Sequence, residues 1–459
     1  MRGEIELALE INVDPRTAGR AWAWSEGTRA WYAVTILSLV SMMSNIDRGV
    51  INLLISPIKR DMQLSDTAVS LLVGATFSVV YVVFSFPLAR VADVKSRKII
   101  LTLGLAVWSL ATMLCGLAQT LWQLFVARGL VGAGESVKGP CSMSMITDLV
   151  PERKLPRAFA IFQLGITGGM AAAMVVGGFL LALFAHMPPL TLPGHIVVRD
   201  WHMVFLVTGS PGLLLALVMA FTVREPLRKN RATKGSVPLK EVVRFLLLNR
   251  GLYLPLFLSI AIASTETYGL QSWRPSFLER TYGWGPAQAG PLLGGMLLIA
   301  TPIGLWFGTL LAEHLYRKRP EDAMIRACLW SQLIATPFAI LMPLMPNPWL
   351  ALGVGLLGSI AWSMTAPGQN AAILTVTPNE MRGQVSAIYL FCISVIGGGF
   401  GPTAIALITD HVFHDEAMLR FSMSGFAAVV GPLVIFLIWK AMGCYAAAYD
   451  RKSGRKAVA

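Results

Sequence analysis

The chain has 459 residues, of which 55% are hydrophobic and only 14% are charged. Soluble globular proteins are about 25% charged, so this composition excludes a set of ordinary soluble domains and indicates a polytopic membrane protein. The net charge of +13 does not indicate a nucleic-acid partner, because the basic residues lie in short loops between apolar runs. The five cysteines are scattered without metal-site or disulfide spacing, and we expect neither metal nor cofactor.

Twelve apolar runs are each near the ~20 residues that a helix needs to cross a bilayer. They are predicted at 31–55, 67–89, 99–118, 121–146, 158–182, 201–222, 251–273, 287–312, 323–343, 348–373, 385–410 and 418–443. Residues 1–30 form a polar segment, and residues 223–249 form the longest polar connection, ending in a short amphipathic stretch. This linker divides the chain into six-helix halves at 31–222 and 250–445, and a basic tail follows at 446–459.

Lysine and arginine are divided unevenly between the two sets of loops. Twenty-nine lie in the termini and in the loops that follow even-numbered spans, and three lie within spans. The six in the opposite loops are Lys59, Arg60, Arg199, Arg274, Arg280 and Arg420. Because positively charged loops remain in the cytoplasm, this bias predicts a cell-membrane protein with both termini cytoplasmic.

The two halves resemble each other in the same order along the chain. L-S-D-T-A-V-S-L-L-V-G at 64–74 aligns with W-G-P-A-Q-A-G-P-L-L-G at 284–294, an offset of 220 residues. V-P-E-R-K-L-P-R-A-F-A-I at 150–161 aligns with T-P-N-E-M-R-G-Q-V-S-A-I at 377–388, an offset of 227 residues. Parallel repeats of this kind are typical of transporters whose halves enclose a substrate site near the midplane.

The fourth predicted span carries three charged residues, Arg128, Glu135 and Lys138. Each costs roughly 2.5–3.5 kcal/mol on the insertion scale, so such residues are paired, hydrated or functional. Arg128 and Glu135 are two helical turns apart and share a face, and Lys138 is close enough along the helix to reach Glu135. One interpretation makes Glu135 a protonation site and lets an anionic substrate compete for the cations. The other is a static Glu135–Lys138 pair.

Two further spans carry ionisable residues. In N-I-D-R at 45–48, Asp47 and Arg48 point about 100° apart on a helix and cannot share one partner. We expect one of them to face the cavity, with Asp47 the stronger candidate; the alternative is a structural tie from helix 1 to helix 4. Glu266 in the seventh span either lines the cavity or lies near enough to the headgroups to be hydrated.

The loop V-A-D-V-K-S-R-K at 91–98 is echoed by A-E-H-L-Y-R-K at 312–318. The aligned charges are Asp93, Arg97 and Lys98 in the first half and Glu313, Arg317 and Lys318 in the second. We expect these gating charges to bond helix ends and the opposing half, and to release them when the halves move. They also anchor the loops in the cytoplasm.

Enzymatic motifs are absent from the sequence. G-V-G-L-L-G at 353–358 matches a dinucleotide pattern but lies within an apolar span and has no preceding strand, which favours helix packing. There is no Walker A, H-E-x-x-H or G-x-S-x-G sequence, which argues against an ATP-driven pump or a hydrolase. We predict that the chain is not an enzyme.

Five motifs and the loop at 91–98 carry a family resemblance. The motifs are N-I-D-R at 45–48, P-I-K-R-D-M-Q-L-S-D-T at 57–67, W-S-L-A-T-M-L-C-G-L-A at 108–118, A-R-G-L-V-G-A-G-E at 127–135 and V-R-E-P-L-R at 223–228. They resemble the major facilitator superfamily, and within it the spinster-like branch, over nearly all of 30–445. The resemblance implies an all-α membrane protein of twelve helices in two pseudo-symmetric six-helix bundles that works by alternating access. It also ties Asp47, Arg128 and Glu135 to proton coupling and substrate gating.

The branch is associated with lysolipids and sphingoid phosphates, which implies a lysolipid-like substrate. The chain departs from the family pattern at Ala89 in place of glycine, at Val94 in place of a basic residue, and at Lys138 in place of a neutral one. Lys138 suggests an anionic substrate or a coupling acid held ionised.

We therefore predict a monomeric, proton-coupled secondary transporter for an anionic or amphiphilic small solute, surrounded by membrane lipids and without a nucleic-acid partner. An organic-anion:proton symporter of the same superfamily is one alternative, because such symporters share the N-x-x-D-R and R-x-x-x-G-x-G-E patterns. A non-transporting membrane enzyme or sensor is the alternative from another class.

Overall fold

The computed structural model describes residues 26–193, 196–228 and 238–453. Most of the predicted N-terminal segment, part of the linker and the end of the basic tail therefore lie outside the described residues. Within the described ranges the chain is almost entirely helical. One short hairpin pairs β1 (Leu190–Leu192) antiparallel with β2 (Ile196–Val198).

The helices follow the predicted spans in order. Those of the first half are α1 (Glu26–Met62), α2 (Asp66–Ser70), α3 (Thr76–Val94), α4 (Arg97–Cys115), α5 (Leu121–Glu135), α6 (Lys138–Leu149), α7 (Leu155–Phe184) and α8 (Asp200–Thr222). Those of the linker and second half are α9 (Leu239–Leu248), α10 (Arg250–Tyr282), α11 (Pro286–Lys318), α12 (Ala323–Leu341), α13 (Pro348–Ser363), α14 (Thr365–Val376), α15 (Arg382–Cys392), α16 (Gly401–Ile408) and α17 (Leu419–Ser453). π-Helical turns at Leu71–Ala75 and Ile393–Phe400 join α2 to α3 and α15 to α16.

Ten helices in the described ranges are long and apolar enough to cross a bilayer, and α10, bent by 99° from α9, supplies an eleventh. The remaining predicted span is the α5–α6 segment, which is broken into helices of 15 and 12 residues. Length and apolarity do not identify this segment because of the break and its three charges. The arrangement is consistent with the twelve predicted spans.

The buried apolar core has a different form at the two ends of the bundle. We call the end that carries the connections 63–65, 283–285 and 414–415 the ion-pair end, and the opposite end the termini end. At the ion-pair end one cluster joins both halves, with Leu54 and Phe205 from the first and Phe277 from the second. Towards the termini end each half has its own cluster. Among the described residues, the only buried apolar cluster shared by both halves is therefore the one at the ion-pair end.

Glycines allow α7 and α11 to pack closely across the two halves. A Cβ atom on Gly290 would lie 2.4 Å from the carbonyl oxygen of Met174, and one on Gly178 would lie 2.8 Å from that of Pro286. Small residues at such positions let membrane helices approach until their backbones touch. This contact holds the halves together near the ion-pair end.

We expect Gly290→Ala to destabilise the protein, because the added methyl overlaps a backbone oxygen that cannot move without shifting α7. Overpacking of this kind costs about 1–3 kcal/mol, and the melting temperature in detergent should fall accordingly. Gly295 on the same helix has open space around its Cβ position, so Gly295→Ala is the matched control and should melt like the parent. Equal melting of the two variants would contradict the proposed backbone contact.

Candidate functional site

Glu135 is the last residue of α5 and is completely buried. Two glycines before it bring α5 against its neighbours. A Cβ on Gly132 would lie 2.7 Å from the carbonyl oxygen of Phe77 in α3, and one on Gly134 would lie 2.9 Å from that of Gly104 in α4. The sequence G-A-G-E thus draws α5 inward and places a carboxylate in the interior of the first half.

The carboxylate of Glu135 is bound by α1. The Nε atom of Arg48 donates to Oε2 at 2.6 Å, and the Ser44 hydroxyl donates to the same oxygen at 2.7 Å. Lys138 Nζ donates to the Ser44 hydroxyl at 2.7 Å. The other oxygen, Oε1, has no hydrogen-bond partner among the described residues. One carboxylate is therefore held by one arginine directly and by one lysine through a serine.

This geometry corrects the direct Glu135–Lys138 contact that helical spacing predicts. The helix does not run through this segment: α5 ends at Glu135, and α6 begins at Lys138. The i, i+3 spacing of a continuous helix therefore does not apply, and Lys138 reaches Ser44 instead. Arg48 of α1, which was not predicted to pair with Glu135, is the direct cation.

Arg128 and Asp47 are both buried, with exposed fractions of 1% and 2%. Arg128 Nη1 donates to the backbone carbonyl of Asp47 at 3.4 Å, and its guanidinium carbon lies 5.7 Å from the centre of the Phe77 ring. Oδ1 of Asp47 has no hydrogen-bond partner among the described residues. The expected tie between the first and fourth spans is present, although it uses the backbone of Asp47 rather than its carboxylate.

Arg48, rather than Asp47, reaches open space. Its side chain is 30% exposed, and its guanidinium carbon lies 4.4 Å from the Phe77 ring centre and 5.0 Å from that of Tyr81. Tyr268 on α10 of the second half is near enough to interact with it electrostatically. Arg48 therefore lies where the two halves face each other.

Glu266 lies on α10 and is 5% exposed. Its Oε2 atom accepts a hydrogen bond from Gln332 Nε2 at 3.2 Å, and its Oε1 atom has no hydrogen-bond partner among the described residues. Glu266 lines a cavity inside the second half. Of the two expected placements, the structure shows the cavity and not the headgroup level.

The predicted gating charges of the first half form a clamp within that half. Buried Arg97 binds Asp148 at 2.5 Å and Glu225 at 3.0 Å, which joins the start of α4 to the end of α6 and to the linker. The backbone amide of Lys98 donates to Glu225 at 2.7 Å. The side chain of Asp93 lies outside the described residues.

The equivalent charges of the second half form no such clamp. Glu313 and Arg317 are exposed in the last turns of α11, and neither makes an ion pair within the described ranges. The expected bonds from these charges to the opposing half are therefore not found. The ion pairs between the halves lie at the other end of the bundle, where the sequence predicts only loop charges.

The centre of the ion-pair end is Asp66, whose carboxylate is fully buried. Arg280 of the second half binds its two oxygens at 2.6 and 2.7 Å, and Lys59 of the first half binds it at 2.5 Å. Lys59 also binds Glu416 of the second half at 2.6 Å. A bidentate arginine bond and a shared lysine connect the halves here.

Two further links accompany this cluster. Arg60 binds Glu279 at 3.1 Å, and both the amide and the hydroxyl of Thr67 donate to Asp410 at 2.7 Å. Together with the shared apolar core, these bonds close the space between the halves at the ion-pair end. A central charged site closed on one side is the arrangement that alternating access requires.

Two halves of membrane-spanning helices, joined at one end and holding a buried ion pair near the middle, define a membrane transporter. The chain belongs to the Major Facilitator Superfamily, whose sequence model matches residues 37–402. Members of this family are transporters, so the protein is a multi-pass membrane transporter and not an enzyme.

Three relatives place the chain within the family. An MFS-type efflux pump of Mycolicibacterium smegmatis is 28% identical over 84% of this chain and 86% of its own. Protein spinster homolog 1 of Xenopus tropicalis is 25% identical over 84% of this chain and 74% of its own. A crystal structure of a bacterial homolog to the human lysosomal transporter spinster, inward-facing and unoccupied, aligns with a TM-score of 0.73 and 26% identity over 92% and 97% of the two chains. The predicted spinster-like character and the major facilitator fold are confirmed.

Asp66→Asn should loosen the ion-pair end, because it removes the charge that binds Arg280 and Lys59. Removing one partner of a buried pair costs several kcal/mol, and each 1.4 kcal/mol is a tenfold change in population. We expect a cysteine placed at Ser276, which is 1% exposed, to react about tenfold faster or more with an impermeant thiol reagent in a background without the native cysteines.

Asp61→Asn is the control for this experiment. Asp61 binds Arg199 at the same end, yet both residues belong to the first half. Its substitution should leave the labelling rate unchanged. Equal acceleration by both variants would mean that the Asp66 cluster does not close the halves.

The Glu225 clamp predicts a pH dependence. Burial acts to raise the pKa of Glu225, but the Lys98 amide, the Ser96 hydroxyl and the Arg97 guanidinium outweigh it and hold the pKa below its ordinary value. A lowered pKa in the folded state stabilises above the unfolded-state pKa, and this stabilisation is lost as pH falls through the folded-state value. Glu225→Gln should lower the melting temperature at pH 7. The difference from the parent should shrink as pH falls below the unfolded-state pKa of about 4.3 and vanish only below the lower folded-state pKa.

Glu313→Gln is the matched control, since Glu313 is exposed and has no ion pair in the described part of the chain. Its melting temperature should equal that of the parent at every pH. A Glu225→Gln deficit that is independent of pH would contradict the ionic clamp.

Proposed function

We propose that the protein couples the transport of an anionic, amphiphilic small solute to protons. In this proposal the anionic group of the solute replaces the Glu135 carboxylate as the ion-pair partner of Arg48. The observation that supports this proposal is the 2.6 Å Arg48–Glu135 pair, in which the carboxylate is fully buried and the arginine side chain is 30% exposed. A solute between the halves meets Arg48 directly.

Electrostatics gives the order of events. An arginine within the membrane needs a counter-charge because its desolvation is costly. Ionised Glu135 supplies that charge, and protonated Glu135 does not. The anionic group of a solute then replaces the carboxylate beside Arg48, and Lys138 adds a second positive charge through Ser44. Proton binding and anion binding therefore favour each other.

This mutual support sets the direction of coupling. Two ligands that bind together are carried together, so the proton and the anion cross in the same direction. Neutralisation of Arg48 by the solute removes the charge that holds α1 to α5, after which the Asp66 cluster opens and the termini end closes. We place the termini in the cytoplasm from the distribution of basic loops, so the structure corresponds to an inward-open state.

Export is the second candidate, favoured by the relative named as an efflux pump. A proton-driven exporter carries the two ligands in opposite directions. Its solute must then bind when Glu135 is ionised, which favours a neutral or cationic amphiphile over an anion. The two candidates thus differ in the charge of the solute and in the sign of the pH gradient that drives it.

The test is flux into proteoliposomes with lysophosphatidic acid as the amphiphilic anion and lactate as the small carboxylate. The proposal predicts accumulation of the preferred anion when the side of the anion is more acidic. Glu135→Gln should lose at least about tenfold of this proton-driven flux while exchange without a gradient continues. Arg48→Gln should lose both, because the anion has no partner.

Lys138→Gln separates the two roles of that lysine. A change in anion affinity supports contact with the solute, and an altered pH dependence alone supports an action through Ser44.

Arg317→Gln removes an exposed charge on α11 and should leave both fluxes unchanged. Undiminished proton-driven flux in Glu135→Gln would remove Glu135 from the coupling role. Flux driven only by the opposite gradient would support export.

A further inference from the structure

A second charged cavity lies within the second half, enclosed by α10, α11, α12 and α13. The centres of water-sized molecules have a volume of about 80 Å³ available to them in this cavity, which is room for several waters or one small polar molecule at ~10–15 Å³ per water. Glu266 and Arg274, both on α10, contribute charges of opposite sign to its wall. The apolar pattern predicts Arg274 in a loop, but α10 continues to Tyr282 and carries Arg274 inside the bundle.

Neither charge is fully satisfied. Glu266 is 5% exposed, and its Oε1 atom has no hydrogen-bond partner among the described residues. Arg274 Nη1 donates to Ser359 at 3.1 Å, while its buried Nε atom has no partner in the same ranges. The carboxylate therefore needs a donor and the guanidinium an acceptor, and they do not form an ion pair with each other.

The spacing of the two charges leaves room for a ligand between them. Eight residues separate them on α10, which corresponds to about 12 Å along the axis. Long helical side chains point back towards the N-terminus of their own helix, so the charged groups of Glu266 and Arg274 are expected to be closer than this axial spacing. Gln332 and Ser359 offer hydrogen bonds along the wall, and Phe338 and Trp362 are among its apolar members.

This cavity is separate from the Arg48–Glu135 site. Tyr268, which interacts with Arg48, is two residues beyond Glu266 on α10. Two residues turn a helix by about 200°, so the two side chains leave opposite sides of α10. Tyr268 faces the first half, and Glu266 faces the interior of the second.

We propose that this cavity binds a small zwitterion, with its ammonium group at Glu266 and its phosphate or carboxylate at Arg274. The ammonium supplies the donor that Oε1 lacks, and the anionic group supplies the acceptor that Nε lacks. The opposite charges of the wall cancel, so the site selects a neutral ligand with separated charges over a simple anion or cation. A free amino-alkyl phosphate and the headgroup of an aminophospholipid share this chemistry.

The test is calorimetric titration of the full-length protein in a maltoside detergent with phosphoethanolamine, ethanolamine and inorganic phosphate. The proposal predicts that phosphoethanolamine binds at least about tenfold more tightly than either of its parts. This comparison needs no variant, so it decides even if substitutions unfold the protein. Equal affinities for phosphoethanolamine, ethanolamine and phosphate would overturn the proposal. So would a failure of both phosphoethanolamine and lysophosphatidylethanolamine to bind.

Two variants assign the ends of the ligand. Glu266→Gln should abolish the preference for phosphoethanolamine over phosphate, and Arg274→Gln should abolish its preference over ethanolamine. Arg48→Gln should leave the affinity for phosphoethanolamine unchanged, which separates this site from the proposed transport site; loss of binding in Arg48→Gln would overturn the assignment to the second half. Tighter binding of lysophosphatidylethanolamine than of phosphoethanolamine would assign the ligand to a lipid source, and the reverse to a free one.

Discussion

The pairing of a fully buried carboxylate, Glu135, is the constraint on which the structure of the first half depends. A charge in this position has to be compensated locally, because neither lipid nor the surrounding apolar core can solvate it. The chain meets this need with three local features: glycines that draw α5 inward, a helix break directly after Glu135, and one face of α1 that carries Ser44 and Arg48. The break frees Lys138 from helical register and lets it join the same network.

The second constraint is the unequal division of contacts between the two ends. The halves share one apolar core and a set of buried ion pairs at the ion-pair end, whereas towards the termini end each half is packed on itself. The strongest bonds between halves are thus concentrated around Asp66. The Arg97 clamp does not oppose this arrangement, because it stays within the first half and its linker. Separation at the termini end therefore breaks none of the ionic contacts described here.

Composition and repeats predicted the all-α fold, the family and the approximate spans, because these follow from hydrophobic length and motif. The same patterns identified Glu135 and Arg128 as buried charges. They did not predict that Arg48, rather than Asp47, faces open space. Which of these two residues is exposed depends on how α1 is rotated against α5. They also missed Ser44, Arg274 and the Asp66 cluster. Each of these gains its role from a partner far away in the sequence, and a helix that runs further than its apolar segment carries Arg274 into the bundle.

The charge balance around Glu135 has a consequence for the kind of solute. Near the middle of the first half, Arg48, Arg128 and Lys138 face Asp47 and Glu135, which leaves one positive charge in excess when both carboxylates are ionised. Four of these five residues are at most 8% exposed, while the Arg48 side chain is 30% exposed. The excess charge is therefore accessible mainly at Arg48. Protonation of Glu135 raises the excess to two positive charges, and an anion beside Arg48 reduces it again. These changes in net charge support an anionic solute more strongly than the presence of any single residue does.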